Sequence, residues 1–174
     1  MLLMDGDVLY DQRLLRPLIE SKHETVLLVD RNYSTADDDP VLVPVKGGRP
    51  FEFRKKWQGE ADWAGESIGF FKVAPEDLRR LEEDVERRCA AGGRGDSYDE
   101  VLRALVRQDR FGLEDVSGQP WTEVDFEDDI EYGRSVILPK LEPLAGPAPV
   151  PVGKARHSAK SVGPTGDRVV TKPG

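Results

Sequence analysis

The spacing of apolar residues alternates between two periods along residues 1–141, and this alternation predicts a mixed α/β fold. Short continuous apolar runs, typical of strands buried on both faces, occur at residues 2–4, 25–30 and 68–73. The segments DQRLLRPLIES, PEDLRRLEEDVERRC and YDEVLRALVRQ instead place their apolar residues at helical spacing. This order favours a mixed, mostly parallel sheet that is covered by helices on both faces.

Turn and cap residues indicate the remaining elements. The segment VLVPVKGGRPFEF predicts two strands joined at Gly47 and Gly48, which is a common hairpin signal. Ser97 and Glu100 have the spacing of a capping box, which predicts that the YDEVLRALVRQ helix begins there. Two further strands, FGLEDV and WTEVDF, flank the turn residues SGQP, and EDDIEYGRSVI predicts a last helix.

The sequence changes character from Glu142 onwards. Residues 142–174 are rich in Pro, Gly and Ala, are basic, and show no apolar periodicity. Such a segment cannot bury enough apolar surface to offset the entropy of ordering. We therefore expect one domain over residues 1–141, followed by a disordered tail.

Composition narrows the class of protein and of partner. The chain has 174 residues, a formal net charge of −8 and a single cysteine, so it has no internal disulfide, and the acidic balance argues against a nucleic-acid surface. No apolar run reaches the roughly 18 to 20 residues that span a bilayer. The first residues, MLLMDGD, also lack the basic start of a signal peptide. The expectation is a cytoplasmic protein without a membrane partner.

Acidic residues follow two of the predicted strands. Asp5 and Asp7 come directly after the first strand, and Asp125 likewise follows a strand, within WTEVDFEDD. Carboxylates at separate strand ends can converge on one Mg²⁺, which binds one or two carboxylates and keeps its other positions for water and phosphate. An Asp-Gly-Asp sequence is also common in turns, so the spacing alone leaves both interpretations open.

Longer motifs carry a resemblance to a known family. The successive segments LLMDGDVLYDQRLLRPLI, TVLLVDRNY, VLVPVKGGRPFEFRKK, GESIGFFKV, SYDEVLRALV and PWTEVDFEDDIEYGR resemble the second half of the sugar-phosphate type nucleotidyltransferases. The likeness is strongest to the phosphocholine and aminoethylphosphonate cytidylyltransferases. The resemblance implies a Rossmann-like sheet. It also implies Mg²⁺-dependent transfer of a nucleotidyl group from an NTP, with CTP favoured, to a small phosphorylated or phosphonate acceptor, with release of pyrophosphate.

The same resemblance assigns roles to individual residues. Asp7 of GDV and Asp125 of EVD match the two magnesium-binding aspartates of the family, and they are the expected catalytic and metal-binding residues. Glu66 of GESIGF and Glu123 of TEVD fall where the acceptor substrate is contacted. Trp63 would offer an aromatic face to a quaternary ammonium group, although its position equally suits a core or rim aromatic residue.

One family signature has no match in this sequence. The family has a glycine-rich loop with a basic residue after its first strand, and no residues before Met1 supply it. The expectation is an N-terminally truncated domain that binds CTP weakly. Its exposed apolar edge, at Leu2, Leu3 and Val8, would favour self-association.

Two other functions fit parts of the sequence. A non-catalytic fragment that binds a partner through its sheet edge would need no intact triphosphate site. A metal-dependent glycosyltransferase also uses an Asp-x-Asp motif at a strand end, but that function gives no reason for the WTEVDFEDDIEYGR segment.

Overall fold

The computed structural model describes residues 1–33, 40–93, 95 and 97–143. The strands are β1 (Leu2–Met4), β2 (Val8–Tyr10), β3 (Val26–Asp30), β4 (Val41–Lys46), β5 (Arg49–Pro50), β6 (Arg54–Lys55), β7 (Trp63–Lys72), β8 (Gly112–Asp115) and β9 (Trp121–Glu123). The helices are α1 (Leu15–Glu20), α2 (Pro75–Ala90), α3 (Asp99–Arg107) and α4 (Glu127–Tyr132). The chain also forms single turns of 3-10 helix at Gln12–Leu14 and Leu138–Lys140 and a π-helical turn at Gly133–Ile137.

The predicted tail lies almost wholly outside the described residues. Contacts divide the chain into two units, Met1–Leu144 and Ala145–Gly174, and the second unit is not described. Glu142 and Pro143, at the end of the described residues, form hydrogen bonds with Asp11 and Gln12. Within the described residues, no helix is long and apolar enough to cross a membrane.

The main sheet is mixed, and its strand order is β5-β4-β7-β3-β8. Strand β1 pairs with the last residues of β7, and β6 pairs with β4. Among the described strands, the β3–β8 pair is parallel and every other pair is antiparallel. The prediction of a mixed α/β fold is confirmed, whereas the prediction of a mostly parallel sheet is wrong. Continuous apolar runs report burial on both faces, which helices provide here regardless of strand direction.

Burial of β3 on both faces creates two hydrophobic clusters. Its side chains alternate, so that Leu27 and Val29 face one cluster while Val26 and Leu28 face the other. Residues of α3 fill the first cluster, and residues of the segment that includes α1 fill the second. The sheet is therefore the middle layer between helices, and β3 ends at Asp30, which is itself buried.

Several element predictions are confirmed with changed boundaries. The strand predicted at residues 68–73 begins earlier, at Trp63. The last helix, predicted through Ile137, is α-helical only as far as Tyr132 and ends as a π-helical turn. The predicted capping box at Ser97 and Glu100 is wrong. The Ser97 hydroxyl accepts its hydrogen bond from the backbone N–H of Asp99, and α3 has no side-chain cap bond.

The chain leaves the main sheet between β1 and β2. Strand β2 pairs with β9 in a separate two-stranded sheet, in which Val8 lies opposite Glu123. Val8 is therefore a half-buried member of this ribbon, whereas it was predicted on an exposed edge, and Leu2 in β1 is 44% exposed. The connection between the two sheets consists of Asp5, Gly6 and Asp7, so the predicted metal-binding turn joins them.

The close approach of β7 to β3 allows a stability test at Gly65. A Cβ at this position would overlap Val29 and lie 2.8 Å from the carbonyl oxygen of Asp30, whereas a Cβ at Gly6 would meet nothing within 4 Å. We expect Gly65→Ala to lower the free energy of unfolding by about 2 kcal/mol, or about 6 °C in thermal midpoint. The matched variant Gly6→Ala should change the midpoint little in the same thermal scan. Equal midpoints for the two variants would contradict the described packing of β7 on β3.

Candidate functional site

Two neighbouring cavities share one wall of carboxylates. The first cavity has a volume of about 540 Å³ and the second of about 340 Å³. Glu66, Glu123 and Asp125 border both of them. These three residues come from β7, from β9 and from the loop after β9, so pairing of distant strands assembles the wall.

Asp5 and Asp7 flank this wall from the connection between the two sheets. The Asp5 carboxylate borders the second cavity. Asp7 borders neither cavity, but its carbonyl oxygen accepts a hydrogen bond of 2.8 Å from the backbone N–H of Val124, beside Asp125. The structure thus brings the backbones of the two predicted metal ligands together.

Electrostatic coupling joins four carboxylates, Asp5, Asp7, Glu123 and Asp125, which we call the acidic cluster. Partial burial of the Glu123 carboxyl, followed by the charges of Asp125, Asp7 and Asp5, raises its pKa to about 7, while Lys55 opposes them. Burial is also the main cause that raises the pKa of Asp5, and the hydrogen bond from Tyr98 opposes it. The cluster concentrates negative charge where the two cavities meet.

The acidic cluster suits Mg²⁺ better than a metal held by protein ligands alone. Within the described residues, no group of three or more His, Cys, Asp or Glu side chains has the geometry of a metal site. Mg²⁺ needs only one or two carboxylates, because water and substrate phosphate complete its octahedron. Two aspartates whose backbones are adjacent fit that requirement, and the Asp7–Asp125 magnesium site stays a prediction.

The acceptor residues predicted from the sequence are only partly brought together. Glu66 and Glu123 border both cavities, but Trp63 borders neither. The Trp63 ring packs on the hydrophobic cluster of β3, and the Arg31 guanidinium carbon lies 4.6 Å from its centre. Of the two alternatives that the sequence left open for Trp63, packing against the core therefore describes it better than acceptor binding.

Trp121 supplies the aromatic wall that was assigned to Trp63. It borders the first cavity, and its indole Nε1–H donates a hydrogen bond of 2.8 Å to Asp30 at the end of β3. The Asp30 carboxylate also accepts the backbone N–H of Asn32, at 2.7 Å. The signal for Trp121 was its place directly before TEVD, but only the fold shows that Asp30 orients its ring.

A basic side chain on the rim of the first cavity was also missed. Arg13 borders this cavity and donates hydrogen bonds of 2.7 and 3.0 Å to the buried carboxylate of Asp11. These bonds, together with backbone N–H groups, hold the pKa of Asp11 well below its usual range. Arg13 also pairs with Glu142 at 3.1 Å, so the end of the described chain fixes its position.

Comparisons with known proteins agree with this architecture. No family model matches the chain. Over 134 residues it is 28% identical to the bifunctional IPC transferase and DIPP synthase of Rubrobacter xylanophilus, an alignment that covers 76% of this chain and 29% of that protein. The inositol-1-phosphate CTP transferase from T. maritima superimposes with a TM-score of 0.52 and 18% identity, over 74% of this chain and 50% of that one. The chain has a fold of the sugar-phosphate nucleotidyltransferase type.

A second solved structure supports the same fold. A Bacillus anthracis protein described as a glucose-1-phosphate thymidylyltransferase superimposes with a TM-score of 0.57 and 12% identity, over 79% of this chain and 54% of that one. The resemblance inferred from the motifs is thus confirmed for the fold. The chain spans less than a third of its curated relative and about half of each of these two structures.

The raised pKa of Glu123 predicts a pH-dependent stability. Partial burial and the neighbouring carboxylates raise the pKa of this carboxyl in the folded chain to about 7, from an ordinary value of 4.5. Its contribution to the free energy of unfolding is therefore present below about 4.5 and is lost as the pH rises to about 7. At pH 8, Glu123→Gln should raise the thermal midpoint by about 3 °C, or about 1 kcal/mol after allowance for solvent screening.

The comparison across pH separates this effect from a general stabilisation. Near pH 4.5 the side chain at position 123 is neutral in both folded proteins, as a protonated glutamate in the wild type and as a glutamine in the variant. The thermal midpoints of the two proteins should therefore converge. Glu131→Gln, in the exposed part of α4, is the matched control and should follow the wild type at both pH values. The described environment of Glu123 is wrong if the wild type and Glu123→Gln keep a constant difference from pH 4.5 to pH 8.

Proposed function

We propose that this chain acts in the Mg²⁺-dependent transfer of a nucleoside monophosphate from an NTP, with CTP favoured, to a small phosphorylated or phosphonate acceptor. The observation that carries the proposal is the shared acidic wall between two cavities in a fold of this type. A reaction that joins two molecules needs two adjoining binding spaces with the reacting atoms at their boundary. Glu66, Glu123 and Asp125 border that boundary.

The proposed reaction is an in-line displacement. A phosphate or phosphonate oxygen of the acceptor attacks the α-phosphorus of the NTP, a new P–O bond forms, and the bond to the β-phosphate breaks to release pyrophosphate. Asp7 and Asp125 would hold Mg²⁺, which supplies charge neutralisation and orientation of the triphosphate when it is bound. Lys55, which borders the second cavity, would add a positive charge near the same phosphates.

The charge of the site supports dependence on a cation. A polyphosphate is repelled by the acidic cluster unless a cation accompanies it. Lys55 is close enough to lower the pKa of Glu123, but it opposes the combined charges of three aspartates there. A divalent ion would therefore be required for binding of the nucleotide as well as for its reaction.

The charge of the first cavity favours an acceptor with a cationic head. Five carboxylates border this cavity, and they are Asp30, Glu66, Glu123, Asp125 and Asp129. Among the described residues, the basic ones that border this cavity are Arg13 and Lys140. An amine or quaternary ammonium group would face Asp30 and the Trp121 ring, which border the first cavity and not the second. The acceptor's phosphate would then lie at the shared wall, beside the proposed Mg²⁺. Phosphocholine and 2-aminoethylphosphonate have this distribution of charge.

A polyol phosphate is the second candidate acceptor. Two of the solved structures similar to this chain are described as acting on inositol 1-phosphate and glucose 1-phosphate. Hydroxyl groups would donate hydrogen bonds to the same carboxylates, but without the Coulomb attraction of a cation. The two classes of acceptor therefore differ in how strongly salt weakens their binding.

The acceptor class can be tested by calorimetric titration of the chain in the presence of Mg²⁺. Phosphocholine and 2-aminoethylphosphonate should bind about tenfold more tightly than inositol 1-phosphate or glucose 1-phosphate, because a partly desolvated ion pair contributes more than a neutral hydrogen bond. Trp121→Ala should weaken phosphocholine binding, and Trp63→Ala is the matched control with an unchanged dissociation constant. Tighter binding of either polyol phosphate would favour the second candidate.

The transfer itself can be tested by pyrophosphate release at millimolar CTP with the acceptor that binds best. Asp7→Ala and Asp125→Ala should each lower the rate by about 100-fold, because each removes one proposed ligand of the ion that neutralises the triphosphate. Asp128→Ala, in the exposed first turn of α4, is the control for loss of one negative charge. An unchanged rate in either aspartate variant would remove that residue from the site, and no release with any NTP would contradict the transferase proposal.

A further inference from the structure

The turn that joins the two sheets is fixed by backbone hydrogen bonds at both of its ends. The N–H of Asp5 donates to the carbonyl of Gly69 in β7, at 3.0 Å, and the carbonyl of Asp7 accepts from Val124, at 2.8 Å. Gly6, between them, is exposed and has open space where a Cβ would lie. The backbone of Asp7 is therefore held on one side by its own carbonyl and on the other, across the exposed Gly6, by Asp5.

Two groups hold the Asp5 carboxylate. One oxygen, Oδ1, accepts a hydrogen bond of 2.5 Å from the hydroxyl of Tyr98, at the beginning of α3. The other, Oδ2, lies against Gly69, where a Cβ would overlap it. Gly69 has a φ of +74°, a backbone conformation that favours glycine. The Asp5 carboxylate thus lies against the bare backbone of Gly69, and the hydrogen bond from Tyr98 holds it there.

We propose that Tyr98 is a positioning residue that holds the Asp5–Asp7 turn so that Asp7 faces Asp125. This inference rests on the proposed function, because Asp7 and Asp125 are its metal ligands. The negative charges of Asp7 and Asp99 lie near the Asp5 carboxylate and repel it. The Tyr98 hydroxyl counters that repulsion, and without it the carboxylate would turn towards solvent and release the turn.

Packing of the ring does not explain the contact. Tyr98 is 44% exposed, so its ring contributes little to a hydrophobic core, and the structure gives its hydroxyl a partner 93 residues away in the sequence. If Tyr98 served only to pack, phenylalanine would replace it without consequence. If its hydroxyl holds the turn, phenylalanine should release the turn while the rest of the fold stays intact.

Amide hydrogen exchange, followed by NMR in the metal-free chain, tests the positioning directly. In Tyr98→Phe, the amides of Asp5 and Val124 should exchange about tenfold faster, because their acceptors lie on Gly69 and on the released turn. Amides of β3 should keep their protection. Tyr10→Phe is the matched control, since the Tyr10 ring packs edge-on against Phe70 in the hydrophobic cluster of Val26 and Leu28, with 4.7 Å between the ring centres. Unchanged exchange of Val124 in Tyr98→Phe would overturn the proposal.

Variants of Asp5 separate the hydrogen bond from the charge. Asp5→Asn keeps an oxygen that accepts from Tyr98, so Val124 should stay protected, whereas Asp5→Ala removes the acceptor and should behave as Tyr98→Phe does. Equal exchange in Asp5→Asn and Asp5→Ala would overturn the role of the hydrogen bond.

Binding of Mn²⁺, used as a probe for the magnesium site, measures the consequence for the metal ligands. Tyr98→Phe should raise its dissociation constant about tenfold, as loss of a group that orients a ligand does in metal sites. An unchanged constant, with binding to the wild type intact, would overturn the positioning of Asp7. If the wild type itself binds no Mn²⁺, the proposed function fails, and the exchange of Val124 still decides whether Tyr98 holds the turn.

Discussion

Antiparallel pairing along β7 supports the whole candidate site. This ten-residue strand pairs with β3 along one edge and with β4 and β1 along the other, so it connects most of the main sheet. The same strand supplies Glu66 to the shared wall of the cavities, and its Gly69 is the residue against which the Asp5 carboxylate lies. Displacement of β7 would therefore move the acidic wall and the turn that carries Asp7 together.

The acidic cluster opposes the stability of the fold that holds it. Burial and mutual repulsion raise the pKa of Glu123 and of Asp5, which means that the folded chain disfavours their charged forms. Clusters of this kind are common at functional sites, where a ligand of opposite charge later relieves the repulsion. Here the hydroxyl of Tyr98 and the ammonium group of Lys55 offset only part of it. A divalent cation would relieve more, so binding of a cation and stability of the site should be coupled.

The sequence was informative where local pattern decides structure. The burial of β3, the helices α1 to α3 and the strand ends that carry Glu123 and Asp125 all follow from apolar spacing and turn residues. Strand direction did not follow, because the apolar run at residues 25–30 reports two covered faces and says nothing about which neighbours pair with it. The Ser97–Glu100 spacing suggested a capping box that the fold does not form.

Contacts between distant residues account for the rest of the site. Tyr98 and Asp5 are 93 residues apart, and Trp121 and Asp30 are 91 residues apart, so no local pattern links them. Trp63 was the aromatic residue nearest to Glu66 in sequence, yet β7 directs it away from the cavities and Trp121 takes its place. Asp7 and Asp125 were paired through the resemblance to a family, and the β2–β9 ribbon now gives a physical reason for the proximity of their backbones.

The most direct test of that pairing is paramagnetic broadening of backbone amide signals by substoichiometric Mn²⁺. The amides of Asp7, Val124 and Asp125 should broaden first, and those of Glu76 and Asp77, an acidic pair beside Thr25 at the opposite end of β3, should stay sharp. Broadening centred on Glu76 and Asp77, or spread evenly over the acidic surface, would contradict a metal site at Asp7 and Asp125.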